Sequence, residues 1–449
     1  MAISHTLRED GPSEKKYGPA HKKLGVRSSQ HFKSGKLRFK SVGRTDSTSI
    51  YQAANYGPSL KYLNILVDSV GEDGRGWGIP VIRPGDPDSE LMAQVVEDWL
   101  KKSRHYSRLK NMATASFTSK EVDDLGVHGL NPARYRRGGK KLKRAFLRKL
   151  LPDAPGNPRV LTARLIVATL GRRKTLNVES LRDTWHTGMF PGGSRLVIKD
   201  PGLEDQRKRW ALFCCRQYQR FIIEWFLQIF EDALKGGKNS IDSITEYALD
   251  SAGLAAESTL RKHVASACRD LSRSKDIDKL STSWVEKVHS EHERFDWIYE
   301  DNIIQMTVKW VLRMGGMKEK FSAWSEGKEL FSMGGQSRFS MEMFYSWVKK
   351  RMDWPLGRLV KGVFEQLVFA QHLKVALIRL DGKNQRLRFS LDDNGITPSM
   401  AFIDKMPARP NFMPDRLDAF VHLLCDAGAL QESANGALQP GDLVDCITG

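Results

Sequence analysis

The residues of this chain best equipped for chemistry are cations. The run RYRRGGKKLKRAFLRKL, Arg134 to Leu150, places Arg134, Arg136, Arg137, Lys140, Lys141, Lys143, Arg144, Arg148 and Lys149, nine cations, within sixteen positions and without an acid among them. Surfaces charged only for solubility mix signs. A one-sign run of this density therefore points to contact with a polyanion, with an acidic protein or a lipid surface as the alternatives. From Lys140 onward the spacing is helical: Lys140, Lys141, Arg144, Arg148 and Lys149 fall on adjoining faces, while Leu142, Phe146, Leu147 and Leu150 face inward. Upstream, KKSRHYSRLK adds Lys101, Lys102, Arg104, Arg108 and Lys110, with His105 and Tyr106 interleaved. That composition suits phosphate contacts and one stacking platform, although a single tyrosine is equally suited to packing.

Other chemistries fare worse. GEDGRGWGIP, Gly71 to Pro80, is rich in glycine but fits neither phosphate-loop spacing, and no helix follows it directly, so a loop between extended segments is expected. No C-x-x-C occurs, and His289 with His292, flanked by Glu291 and Glu293, reads as ordinary surface residues of a helix. Glu326-Gly327-Lys328 has the E-x-K spacing that can set a carboxylate and a lysine beside one phosphate, a triplet frequent by chance. Neither a nucleophile elbow nor a zinc-protease motif is present. These patterns single out no catalytic residue, leaving open a dispersed catalytic site, and no metal ligand or cofactor is expected.

The net charge of +18 is local. Residues 1–50 contribute +7 and residues 101–150 contribute +12, whereas residues 51–100 carry −5. A positive charge concentrated in this way fits a polyanion ligand better than a general solubility bias. The five cysteines are sparse and include the adjacent Cys214 and Cys215, unlike a disulfide framework. MAISHTLRED lacks the apolar stretch of a signal peptide, and no run approaches the ~20 apolar residues of a membrane span, so a cytoplasmic location is expected.

At 449 residues the chain is long enough for two or three domains. Residues 1–45 read as a flexible basic arm, in which HFKSGKLRFKSV has the pattern of a hairpin over Ser34-Gly35. Residues 46–155 read as an N-terminal domain ending in the basic segment. There KYLNILVDSV suits a buried strand or short helix, GIPVIRPG is extended, and LMAQVVEDWLKK forms a helix capped by Asp86 or Asp88 with Pro87 in its first turn. Residues 156–330 read as a helical bundle. One helix of about 30 residues, ~45 Å long, starts at Asp200-Pro201 and stops at Gly236-Gly237, with an aromatic stripe from Trp210 to Phe230; a second spans Ser283 to Arg313. Residues 331–449 read as a C-terminal domain in which LGRLVKGVFEQLVFAQ is helical and Leu373 to Leu391 forms a hairpin turning at DGKNQ. A further helix at Asp415 and a hairpin turning at Asn435-Gly436 have the order of a winged helix. The expected fold is mainly α, a central helical bundle with long helices plus a small winged-helix-like α+β region.

The closing half, WVKKRMDWPL, FAQHLKVALIRL, RLRFS and RLDAFVHLLCDAGAL, resembles uncharacterised helical accessory proteins of bacterial anti-phage defence operons. The resemblance covers about a third of the chain and carries no catalytic residues over. It implies a bacterial host and work beside helicase or nuclease subunits, directed at DNA or RNA. The combined expectation is a non-enzymatic nucleic-acid-binding subunit, with DNA favoured and with protein partners. A nuclease with a noncontiguous site, and a helical scaffold for an acidic partner, are the alternatives.

Overall fold

The computed structural model describes residues 37–38, 63–70, 76–109, 116–117, 121, 139–154, 156–173, 176–191, 194–267, scattered positions between 304 and 318, and residues 324–332, 339–378, 387–399 and 416–448. Along the chain come β1 (Leu37–Arg38), β2 (Leu66–Val70), β3 (Gly76–Ile82), α1 (Pro87–Leu100), α2 (Tyr106–Leu109), β4 (Ser116–Phe117), α3 (Lys140–Leu150) and α4 (Pro158–Leu170). The middle holds α5 (Val178–Thr187), α6 (Pro201–Lys235), α7 (Ile241–Ser251), α8 (Leu260–Ala267), α9 (Ser325–Ser332) and α10 (Met341–Lys349). Then follow α11 (Leu356–Gly362), a π-helical segment (Val363–Phe369), α12 (Ala370–Ile378), β5 (Phe389–Asp392), β6 (Gly395–Pro398), α13 (Leu417–Asp426), β7 (Leu430–Glu432), β8 (Leu438–Pro440) and α14 (Asp445–Thr448). The described protein is mostly helical, and its strands form two-stranded antiparallel pairs. No helix among the described residues is long and apolar enough to cross a membrane.

The chain divides into two compact units, Met1–Thr175 with Asp418–Gly449, and Leu176–Leu417. This grouping departs from the expected 331–449 domain, because the last helix and hairpin share a core with the N-terminal part. In the first unit α4 buries Ala163, Leu165, Ile166 and Leu170 and packs against β8 and α14. Leu424, Ala429, Leu430, Leu438, Leu443 and Ile447 are all buried, and Arg164 Nε donates to the Ile447 carbonyl at 3.1 Å. The hairpin turns at Asn435-Gly436 as expected, with Gly436 at φ +78°, a conformation that costs glycine little. Gly441 is held to glycine by space, since a Cβ there would stand 2.5 Å from the Gly428 carbonyl oxygen. A helix and a two-stranded hairpin are what the structure has at this end.

The second unit is organised by α6, whose 35 residues span ~52 Å at ~1.5 Å per residue. Asp200 accepts from the Leu203 amide at 3.1 Å, Pro201 fills the first turn, and Gly236 ends the helix. Its buried face, including Phe221, Phe226 and Phe230, packs with the π segment, α7 and α9. Phe230 meets Phe389 at 5.0 Å between ring centroids, and Phe226 meets Phe364 edge-on at 5.8 Å. The expected helix from Ser283 is described only in its last part, where Ile304, Val308, Trp310, Val311 and Met314 are helical and buried.

The hairpin expected over Leu373 to Leu391 is corrected. Residues 370–378 continue the helix begun at Leu356, and the hairpin is Phe389–Pro398, turning at Asp393-Asn394. Three contacts fix it to α6 and to Asn239 in the loop that follows α6. Asn239 Nδ2 donates to the Asn394 carbonyl at 2.7 Å, the Ile396 amide donates to the Asn239 carbonyl at 2.8 Å, and the Arg388 guanidinium forms a two-pronged pair with fully buried Glu231. Arg388 also donates its backbone N–H to His372 Nε2 at 3.1 Å. Burial first, and the neighbouring Arg388 charge second, push the His372 imidazole down from 6.5 to about 4.

Two outcomes follow from this corner. Arg388→Met removes the two-pronged guanidinium partner of buried Glu231, and is expected to cost ~3–5 kcal/mol in denaturant unfolding. His372 accepts a proton in the unfolded chain before it does so in the folded one, so stability falls as pH drops from 6.5 towards 4, by at most ~1.4 kcal/mol per pH unit. His372→Gln should flatten the melting temperature over that window.

Candidate nucleic-acid interface

The basic run folds as expected from Lys140 onward. In α3, Leu142, Ala145, Leu147 and Leu150 are buried, Phe146 is half-buried, and Lys140, Lys141, Arg144 and Arg148 are exposed. The apolar face holds the helix against α1 and α14.

The two ends of α3 differ in kind. At its C-terminal end, Arg148 grips Asp88 with two bonds of 2.9 and 2.5 Å, and Lys149 Nζ reaches Asp86 at 2.5 Å. Both aspartates stand at the start of α1, where Asp86 caps by accepting from the Ser89 amide at 2.8 Å and Pro87 opens the first turn. Acids at a helix N-terminus and cations at a helix C-terminus each suit the macrodipole they sit on. Burial disfavours the ionised Asp86 carboxyl, but the hydrogen bonds from Lys149 and Ser89 outweigh it and hold its pKa at about 2. Arg148 and Lys149, expected to meet a ligand, thus fasten α3 to α1. Arg144 lies 3.7 Å from Asp445, a looser and exposed pair.

At the N-terminal end no cation of the first turn is in an ion pair among the described residues. Gly139 is the N-cap and supplies no side-chain acceptor, the first turn holds Lys140, Lys141 and Lys143, and it contains no acid. Neither Lys140 nor Lys141 makes an ion pair or side-chain hydrogen bond among the described residues. Amides of a helix's first turn have no intrahelical acceptor, so donors and three ammonium groups gather where the dipole is already positive. Left alone this end repels itself, and an anion relieves it. Arg134, Arg136, Arg137 and Lys110 lie outside the described residues.

The upstream cluster is partly absorbed by local acids. Lys101 pairs with Asp98 at 3.2 Å and Glu97 at 3.5 Å, and Arg108 pairs with Glu121 at 2.6 Å. Tyr106 donates its hydroxyl to Glu97 and is half-buried, so it packs rather than offering a free stacking face. Lys102 and Arg104 remain exposed, Arg104 beside His105 at 3.0 Å. Partner acids are what the sequence reading missed, and the visible signal was the acid excess of residues 51–100.

The remaining chemical suggestions lose ground. Glu326 of the E-x-K triplet is held by Arg209 through bonds of 2.8 and 2.7 Å, which occupies the carboxylate. Of Gly71 to Pro80, expected as a loop, the last five residues belong to β3, whose register with β2 pairs Leu66 with Ile82, and residues 71–75 lie outside the described residues. His289 and His292 lie outside the described residues, and among those described no cluster of three or more side chains could hold a metal ion. Comparison with known protein families, with curated proteins and with solved structures finds no match to this chain.

The two ends of α3 should separate by mutation. Replacing Arg148 and Lys149 by alanine is expected to lower the melting temperature by several degrees, because Asp86 and Asp88 lose their partners. Replacing Lys140 and Lys141 by alanine should leave it within about a degree, since solvated surface changes cost under ~0.5 kcal/mol. Scanning calorimetry of both double variants checks this.

Proposed function

We propose that this chain is a non-enzymatic nucleic-acid-binding protein, DNA favoured over RNA, whose phosphate contacts centre on the N-terminal turn of α3. The observation that carries the reading is the acid-free, side-chain-uncapped first turn with exposed, unpaired Lys140 and Lys141. It continues a sequence run in which Arg134, Arg136 and Arg137 add three cations. Phosphates are the ligand with the right charge and acceptor geometry for lysines and helix amides together, and such contacts position a nucleic acid without reading its sequence. Lys102 and Arg104 are secondary candidates on the same unit.

In this reading α13, β7 and β8 form a winged-helix-like element of the first unit whose exposed helix face docks protein rather than DNA. Its helix exposes Asp418, Ala419, His422 and Leu423 and contains no lysine or arginine. A partner subunit of a bacterial defence system would be its target, a setting supported only by the resemblance of the closing half of the sequence.

Binding to a labelled duplex across a salt series tests the reading. With about five phosphates neutralised, log K should fall against log salt with a slope of roughly −4, and each of Arg134, Arg136, Arg137, Lys140 and Lys141 replaced by alanine should flatten it by about one. Salt-independent affinity, or affinity unchanged in the five-fold variant, would sink the proposal. The duplex should remain intact with magnesium present, whereas metal-dependent cleavage would favour the nuclease alternative. Preference for polyglutamate over DNA would favour the acidic-partner scaffold.

A further inference from the structure

The second unit carries a different arrangement of cations, laid on aromatic rings. The Arg351 guanidinium stands 4.3 Å from the ring centroid of Trp347 and 4.8 Å from that of Trp354, and Arg358 stands 4.0 Å from Trp354. Trp347, Arg351, Trp354 and Arg358 thus form an alternating ladder across the turn from α10 to α11. Its inner part is locked. Trp347 Nε1 donates to Gln366 at 2.8 Å, Arg351 Nη1 donates to the Trp347 carbonyl at 3.0 Å, and a Cβ on Gly362 would come within 3.3 Å of the Trp347 indole.

The terminal rung is not locked. Arg358 stacks on Trp354 alone, and no hydrogen bond or ion pair among the described residues uses its N–H groups. Residues 256–261 are tied to the same turn, with the Arg261 amide on the Met352 carbonyl at 3.0 Å, the Leu356 amide on Ser258 at 2.7 Å and the Gly357 amide on Ala256 at 2.9 Å. This brings exposed Lys262 near the turn that holds exposed Lys350, neither with an ion-pair partner among the described residues. The acids of these segments are Glu257 and Asp353, and Asp353 is taken by Arg261. A rigid, planar, donor-bearing group beside unpaired lysines remains.

We infer that the Trp354–Arg358 rung, with Lys262 and Lys350, binds an unstacked nucleotide of single-stranded nucleic acid. A guanidinium flattened on an indole presents in-plane donors to phosphate and a π face to a base, which a lysine cannot do. Stacking of bases on such groups tolerates any sequence but requires the base to leave its duplex stack. The rung therefore discriminates strandedness, whereas the lysines at the start of α3 discriminate only charge. The inference uses residues of the second unit alone and goes beyond the α3 reading.

The test compares a labelled oligothymidylate with a duplex of equal length, at matched salt, on the full chain. Arg358→Ala should weaken oligothymidylate binding by about fivefold or more, the effect of losing one stacked base, and leave duplex affinity unchanged. Arg358→Lys, which keeps the charge and the fold, should recover only part of the loss. Trp354→Phe should reduce the tryptophan quenching that oligothymidylate produces. Wild-type binding by Arg358→Ala and Arg358→Lys, an equal loss for both ligands, or equal displacement of the oligomer by polyglutamate would overturn the inference. Lys140→Ala with Lys141→Ala keeps the two proposals apart. If that variant binds duplex normally while Arg358→Ala still loses the oligomer, only the α3 reading fails.

Discussion

A chain with an excess of 18 positive charges folds only if its cations are either matched or kept apart. Matching is done by tertiary ion pairs at points where elements must be fastened. Arg148 and Lys149 meet the capping end of α1, Arg388 meets buried Glu231 on α6, Arg209 meets Glu326, and Arg261 meets Asp353. Arg388–Glu231 and Lys149–Asp86 are largely buried, unlike the surface ion pairs that contribute almost nothing, and the Arg148, Arg209 and Arg261 pairs are two-pronged. Among the described residues, the unmatched cations include those of the first turn of α3 and of the end of the Trp–Arg ladder. Function is read from that remainder.

The same side-chain type thus serves two ends within one helix. Lys140 and Lys149 are nine positions apart, and the second is drawn against Asp86 while the first faces solvent. Periodicity gives both the same standing, because it reports which face a residue occupies and not what lies opposite that face. Only the packing of α1 on α3 decides between them.

Legibility followed the range of the interactions involved. Asp200-Pro201 and Gly236 mark the ends of α6 by local capping, and Asn435-Gly436 marks the C-terminal turn by its demand for positive φ, so both could be read without tertiary information. LKVALIRL could not, since eight mostly apolar residues fit a buried strand or a helix alike. The helix from Leu356 carries into it as far as Ile378 by way of the π segment, and the true hairpin is announced further on by Asn394 and Gly395, the latter at φ +101° with no room for a Cβ beside Asn239. Ion partners 60 positions distant, such as Asp88 for Arg148, leave no trace at short range. The acid excess of residues 51–100 was a faint one. The ladder did have a signature, Trp and Arg alternating at three- and four-residue steps from Trp347 to Arg358, within a segment valued only for its resemblance.

One unit of this protein is continuous in the chain and the other is not. Leu176–Leu417 holds all of its own core, whereas Met1–Thr175 waits for Asp418–Gly449 to supply Leu424, Leu430, Leu438 and Ile447. During synthesis at about 5–20 residues per second, roughly 240 residues must emerge before that supply arrives, a delay of about 12–48 s. Throughout that interval the apolar face of α4 goes without the cover that β8 and α14 give it in the folded protein.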